Sequence, residues 1–228
     1  MKNPFRMLTR FEWALWLFSM SAILASAAVA GFRDPLSTLA SLVGVTGLIF
    51  LAKGAWQGQV FIILFAIIYG IVSLRVRYYG EMITYVGMSL PMAVVSLVAW
   101  LRNPFEGKSE VRVARLTWRR VLLLAVADVA VTVAFYFILG ALGTSRVLVS
   151  TVSVMTSFAA AMLTFLRSPY FALAYATNDV VLVVLWILAA IKDLSCLPMT
   201  VCFAVFLAND LYSFINWRKM EKRQNGAK

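Results

Sequence analysis

Asn178 and Asp179 stand side by side, and thirty-one residues later Asn209 and Asp210 repeat the pair. Seven residues after each Asp comes a Trp, Trp186 and Trp217, two helical turns on and about 20° off the same face. An amide beside a carboxyl supplies donors and acceptors, and a ring adds a flat apolar surface. Such groups suit a neutral or cationic, hydroxylated, flat-ringed solute. Both pairs sit inside apolar runs, "TNDVVLVVLW" and "ANDLYSFINW". A carboxylate facing hydrocarbon costs at least about 2.5–3.5 kcal/mol, so both Asp are expected to face a bundle interior or a water-filled cavity. Amides also knit helices together, at about 0.6 kcal/mol per bond. One member of each pair can therefore serve packing while the other faces solute.

The elements that position these residues follow from composition. Of 228 residues, 62% are hydrophobic and 14% charged, which argues against a soluble domain. Apolar runs of membrane-crossing length recur at about 11–31, 36–52, 57–74, 82–101, 120–142, 147–166, 170–191 and 197–217. The fold class is an all-α membrane protein with eight transmembrane helices. The first run has a basic start and an "ASA" like a signal peptide, but it is longer than a usual signal core and is read as a retained span.

A net charge of +11 would suggest nucleic acid for a soluble chain. Sorted by loop, the charge reports topology instead. Sixteen Lys and Arg, in the N-terminus, the 102–120 loop, the C-terminal tail and at Lys53 and Arg167, fall on one side of eight spans. Five, Arg33, Arg75, Arg77, Arg146 and Lys192, fall on the other. Both termini are expected in the cytoplasm, with the protein multi-pass in the cell membrane and no nucleic-acid partner.

The second and sixth runs are both rich in small and hydroxyl residues and end at Lys53 and Arg167, 114 residues apart. Trp100 and Trp217, each beside a cation, are 117 apart. The near-constant offset predicts an N-terminal helix (1–32), a first three-helix unit (33–101), a basic loop and linking helix (102–142), a second three-helix unit (143–219) and a tail (220–228). Four helices separate equivalent positions, so the repeat is parallel, 3+1+3, an architecture of small-solute transporters. Counting from the turn near residue 194, Asn178 lies sixteen residues back and Asn209 fifteen forward, at nearly one depth. Tyr212 lies beside Asn209 in a stripe with Asn216, and Gln57 and Gln59 open the third run, with Tyr69 further along. Glu81, at the outer rim, is expected in an interfacial salt bridge. Gly87 and Pro91 allow a kink or a simple packing bend in the fourth span. Asp128, near mid-membrane on the linking helix, is read as structural or as a proton-coupling residue.

Enzyme chemistry finds little footing. The chain has no His, and Cys196 and Cys202 suit neither a metal site nor a redox pair. It carries no Gly-rich phosphate loop, Ser-Lys pair or Gly-rich aspartyl-protease motif. Neither a catalytic residue nor a cofactor or metal is expected.

The stretches "WQGQVFIILFAIIYGIVSLRVRYYGEMITYVGMSLPMAVVSLVAWLRNPFEG" and "ATNDVVLVVLWILAAIKDLSCLPMTVCFAVFLANDLYSFINWRKMEKRQ" resemble the PnuC-type vitamin transporters. That resemblance implies a 3+1+3 core related to the SWEET sugar transporters, an extra N-terminal helix and a homotrimer. It also implies nicotinamide riboside as substrate, carried by facilitated diffusion and trapped inside by a kinase. Asn178 and Asn209 match the family's binding amides. The family's Trp four residues before the first Asn is replaced by Ala174, flanked by Tyr170, Phe171 and Tyr175. The resulting substrate-binding set is Asn178, Asn209, Asp179, Asp210, Trp186, Tyr175, Tyr212 and Gln57, with Trp186, Tyr175 and Tyr212 as stacking rings. Thiamine and riboflavin remain alternative vitamins, and a non-transporting membrane scaffold is the alternative of a different class.

Overall fold

In the computed structural model, which describes residues 4–144 and 147–226, the chain is helical almost throughout. Lys2, Arg146 and Lys228, used in the charge count, lie outside these residues. Helix α1 (Arg10–Val29) starts at a capping box in which Thr9 and Glu12 satisfy each other's backbone N–H. Asp34 caps α2 (Pro35–Ala52), with Pro35 in the first turn, where its missing N–H has no bond to lose. A tight turn with Gly54 at φ +64° leads into α3 (Gln57–Arg75). The fourth span has three pieces: α4 (Tyr79–Ile83), a π-helical stretch (Thr84–Ser89) and α5 (Leu90–Leu101). The π stretch lies just ahead of Pro91, whose ring has no N–H to offer the preceding turn.

Helices α6 (Trp118–Ala141), α7 (Val147–Phe165), α8 (Phe171–Ala190) and α9 (Leu197–Gly226) complete eight segments long and apolar enough to cross a membrane. Among the described residues there is no strand, only isolated bridges Ala55–Glu110 and Pro104–Val111. The chain is an all-α, multi-pass membrane protein. Helix α9 runs on through residues 220–226, where Glu221, Lys222, Arg223 and Gln224 all favour helix.

Glu81 corrects the sequence reading. The fourth span opens at Tyr79 rather than at residue 82, so Glu81 falls in a helical turn that faces inward. It is 1% exposed and accepts a hydrogen bond from Ser153 on α7 (3.3 Å), with no ion pair at the rim. Asp128 sits part-exposed on α6, its Oδ1 without a donor.

Helices α2, α3 and the fourth span form one unit, α7, α8 and α9 the other, and α6 packs mainly on α7. Contacts between units are reciprocal: the first helix of each (α2, α7) lies on the last of the other (α9, α5). Inside the first unit α2 and α3 nearly touch at Gly58, where a Cβ would stand 2.7 Å from the Leu51 nitrogen and 2.9 Å from the Gly47 oxygen. Helix α1 is knit onto α2 and α9. Trp16 donates to Thr46 (3.2 Å), Asn209 donates to Ser19 (3.1 Å), and Glu12 holds both Lys53 (3.2 Å) and the Tyr212 hydroxyl (2.7 Å).

Where α2, α5 and α7 end, the two units exchange indoles. Trp217 donates to the carbonyl of Leu51 (2.8 Å), and Trp100 donates to that of Thr164 (3.1 Å). Both acceptors lie in the last turn of a helix, where the carbonyls also accept the N–H of the following turn, Gly54 to Leu51 (2.8 Å) and Arg167 to Thr164 (3.0 Å). The two rings touch, with centroids 5.4 Å apart. The contacts interchange under the 3+1+3 repeat, as its parallel sense requires.

Candidate functional site: an acidic cavity between the two units

Helices α8 and α9 lie side by side, joined by a turn in which the Asp193 carboxylate accepts from the Ser195 N–H (2.9 Å). That bond holds the Asp193 carboxyl below the usual Asp range. Each residue of an α-helix turns about 100° from the last, so an Asn and the Asp after it point different ways. Asn178 turns toward α7, where its Oδ1 accepts from Thr156 (2.8 Å) and Ser153 (3.4 Å). Asn209 turns toward α1, and its Nδ2 donates to Ser19 (3.1 Å) and the Val205 carbonyl (2.7 Å). Asp179 and Asp210 instead turn toward each other and line one cavity between the units. The structure divides each pair, the amide to helix packing and the carboxyl to the cavity.

The cavity measures about 40 Å³, room for roughly three waters. Its polar walls are Asp179, Asp210, Tyr175, Gln59, Tyr85, Ser89 and Thr164, and its apolar walls include Leu51, Phe65 and Phe206. Both carboxyls are buried, 3% and 1% exposed. Asp179 Oδ2 and both Asp210 oxygens receive no protein donor, and the buried Gln59 Nε2 meets no acceptor. No Lys or Arg lines the space. Lys53, at the end of α2, is engaged with Glu12. Unpaired buried polar atoms are costly unless a ligand or water completes them. The arrangement is acceptor-rich, with one free amide donor and two phenol rings, and it fits a solute bringing hydroxyls or positive charge. Among the described residues no group of three metal-ligating side chains occurs.

Of the residues singled out from sequence, Asp179, Asp210 and Tyr175 meet at this cavity. Asn178 and Asn209 flank it from behind. Trp186 is fully buried, donates to the Tyr69 hydroxyl (2.8 Å) and packs against Tyr69 and Tyr78. Tyr212 faces α1 through Glu12, and Gln57 lies off the lining with its Oε1 unpartnered. Gln59, Tyr85, Ser89 and Thr164 join the lining without having been chosen. Helical period was the signal for Gln59: it shares a stripe with Ile62 and Ala66, whereas Gln57 is about 200° away. No comparable pattern marks Ser89 or Thr164.

A multi-span bundle of two three-helix units closed on a small, unsatisfied polar cavity defines a solute transporter of the 3+1+3 class. A family profile described as "Nicotinamide mononucleotide transporter" matches residues 34–219, and the chain belongs to that family. It is 30% identical over 226 residues to a nicotinamide riboside transporter PnuC of Neisseria mucosa, covering 96% of this chain and 84% of that one. Its identity to a PnuC of the same description from Haemophilus influenzae is 26% over 198 residues, 85% and 84% of the two chains. A crystal structure described as that of the vitamin B3 transporter PnuC superposes with a TM-score of 0.82 at 27% identity, covering 95% of this chain and 94% of that one. The family and these relatives are transporters, and this chain is a transporter rather than an enzyme.

Proposed function

We propose that this protein takes up nicotinamide riboside by facilitated diffusion with alternating access, the riboside being trapped inside by phosphorylation. The observation that carries the reading is the cavity lining: two buried carboxyls, a free amide donor and phenol rings, with no cation. A carboxylate accepts both hydroxyls of a ribose diol, and the acidic walls favour a cationic pyridinium ring. The same walls disfavour a phosphate dianion, so the nucleoside rather than the mononucleotide is the better fit. Asp179, Asp210, Gln59, Tyr175 and Tyr85 are the proposed contacts, with Asn178 and Asn209 fixing the helices that carry the carboxyls.

Small-molecule pockets begin at about 300 Å³, so a cavity of about 40 Å³ admits a nucleoside only when the units part. This supports alternating access. The end bearing Lys53, Arg167 and the 102–120 loop is read as cytoplasmic, with both termini on that side of the cell membrane. Helix α6, which buries only Leu139, offers apolar surface for a homotrimer.

Counterflow in liposomes tests the reading, with unlabelled nicotinamide riboside inside, labelled riboside outside, and thiamine and riboflavin as parallel arms. Transient accumulation of the riboside alone is expected, lost in Asp179→Asn and Asp210→Asn. A signal for thiamine or riboflavin alone would reassign the substrate. Silence in all three with folded protein would overturn transport of these vitamins.

A further inference from the structure

Two seams join the three-helix units, α2 against α9 and α7 against the fourth span. In the half of the bundle away from Lys53, a serine bridges each seam, at the seventh residue of α2 and of α7. Ser41 of α2 reaches the Pro198 carbonyl (3.4 Å) and the Met199 sulfur (3.6 Å), both on α9. Ser153 of α7 reaches the Glu81 carboxyl (3.3 Å) instead. One seam closes with neutral groups, so packing alone does not call for a carboxyl in the other.

The fourth span is shaped to bring that carboxyl against α7. At Gly80 a Cβ would stand 3.1 Å from the Ser150 side chain and 3.2 Å from that of Leu139, so only glycine lets the span approach this closely. Glu81 is 1% exposed and its Oε1 has no donor. Ion pairs among the described residues engage Glu12, Asp34, Glu106, Glu110 and Glu221, and leave Glu81 out. Ser153 has one proton to give and two acceptors in reach, Glu81 Oε2 and Asn178 Oδ1 (3.4 Å), so even that bond is shared. A buried carboxyl so poorly served is costly unless a ligand or water completes it.

Inward of Glu81 the span widens into the π-helical stretch that carries Tyr85 into the cavity lining. Tyr85 meets Tyr69 with ring centroids 4.3 Å apart, and Trp186 donates to the Tyr69 hydroxyl. The Glu81–Ser153 bond therefore crosses a seam that must part for a solute to enter from this end, about one turn from a wall of the cavity.

We infer that Glu81 is an entry subsite for the cationic ring of the solute. When α7 and the fourth span part, its carboxylate exchanges Ser153 for the positive pyridinium, ahead of Tyr69, Tyr85 and the Asp pair. The subsite deepens the riboside reading and rests on it for the identity of the solute. Its place on the path and its preference for cations stand apart from that identity.

The first test needs no riboside. Ser153→Cys is nearly isosteric and sets a thiol beside Glu81 in the purified full-length protein. Cationic and anionic methanethiosulfonates of similar size are the probes, with the unsubstituted protein giving the background of Cys196 and Cys202. The introduced thiol should react about tenfold faster with the cation, and adding Glu81→Gln should abolish the preference. An unreactive thiol in folded protein, or an equal preference with Gln, would overturn the subsite. The second test is riboside counterflow. Glu81→Gln keeps shape and loses charge, so half-saturation for nicotinamide riboside should rise about tenfold, and that for its neutral dihydro form by under about twofold. Equal shifts for both would make Glu81 a packing residue. Absence of riboside counterflow in the unsubstituted protein would count against the transport reading, and the thiol preference would still decide whether Glu81 meets cations.

Discussion

Trp217 donates its indole N–H to the carbonyl of Leu51, 2.8 Å away in the other three-helix unit, and Leu51 also lines the cavity. Trp100 repeats the relation with Thr164, another lining residue. The bonds that close this end of the bundle are thus one residue removed from the space the solute must enter. Trp217→Phe keeps a ring and deletes the donor; the Leu51 carbonyl retains the Gly54 N–H (2.8 Å), so the closed state loses about one hydrogen bond, about 0.5–1.5 kcal/mol. A cysteine placed at Thr164 should therefore react faster with a membrane-impermeant thiol reagent from this face in Trp217→Phe than without it. Cys196 and Cys202 are buried, which keeps their background low.

The division of each Asn-Asp pair predicts a division of phenotypes. Asn178→Ala removes the acceptor that Thr156 and Ser153 of α7 share and loosens α8 from α7; the Thr156 hydroxyl falls back on the Val152 carbonyl (2.9 Å), so thermal stability should drop by about 1 kcal/mol. Asp210→Asn keeps shape and lets the side chain still face Asp179 while replacing one cavity acceptor by a donor, so stability should hold while riboside counterflow is lost. Thermal unfolding and counterflow on the same preparations check both. Lost stability in Asp210→Asn with normal transport would reverse the assignment.

Apolar run length made the bundle legible, while the site was legible only in part. Eight apolar runs depend on local sequence, and the helices begin and end within a few residues of the runs, except that α9 continues to Gly226, nine residues past its run. The Asp pair was legible because hydrocarbon penalises a carboxylate strongly enough to dictate where it points. The partners were not. Whether Asn209 meets a solute or Ser19 depends on where α1 docks, 190 residues away in sequence. Trp186 looked like a stacking ring by spacing alone, but Tyr69 from the other unit occupies its N–H. Glu81 was misread because its surroundings change with the start of a helix, and boundaries are the least certain feature of a sequence.

Gln59 Nε2 is the buried amide donor of an otherwise acceptor-rich cavity. Gln59→Leu preserves approximate volume and removes that donor. Riboside affinity should weaken about tenfold, the worth of one hydrogen bond to a neutral acceptor, with little change in stability. Half-saturation of counterflow is the measurement, and unchanged affinity would remove Gln59 from the site.

Gly58 sits where α3 crosses the backbone of α2. A Cβ there would meet the Leu51 nitrogen at 2.7 Å and the Gly47 oxygen at 2.9 Å, and backbone atoms yield less readily than the tip of a side chain. Gly58→Ala should lower stability by about 1–3 kcal/mol despite the better helix propensity of Ala. Gly140→Ala is the control, because a Cβ there meets nothing within 4 Å. Thermal unfolding of the two in one detergent should separate them, and equal midpoints would mean that α2 and α3 have room to shift.

Glu12, on the N-terminal helix, is 1% exposed, pairs with Lys53 of α2 at 3.2 Å and accepts from Tyr212 of α9 at 2.7 Å. One carboxylate therefore clasps the first helix of one unit and the last helix of the other. Lys53 keeps some access to water, so losing Glu12 does not leave a fully buried cation, and the damage should be moderate. Glu12→Ala orphans the Tyr212 hydroxyl and should lower stability by about 1–3 kcal/mol. Tyr212→Phe breaks the Tyr212 side of the clasp while leaving the ion pair to Lys53 intact. If the clasp restrains the two units, Tyr212→Phe should speed riboside counterflow while lowering the unfolding midpoint only slightly. Slower counterflow in proportion to lost folded protein would instead make Glu12 and Tyr212 packing residues with no part in the motion.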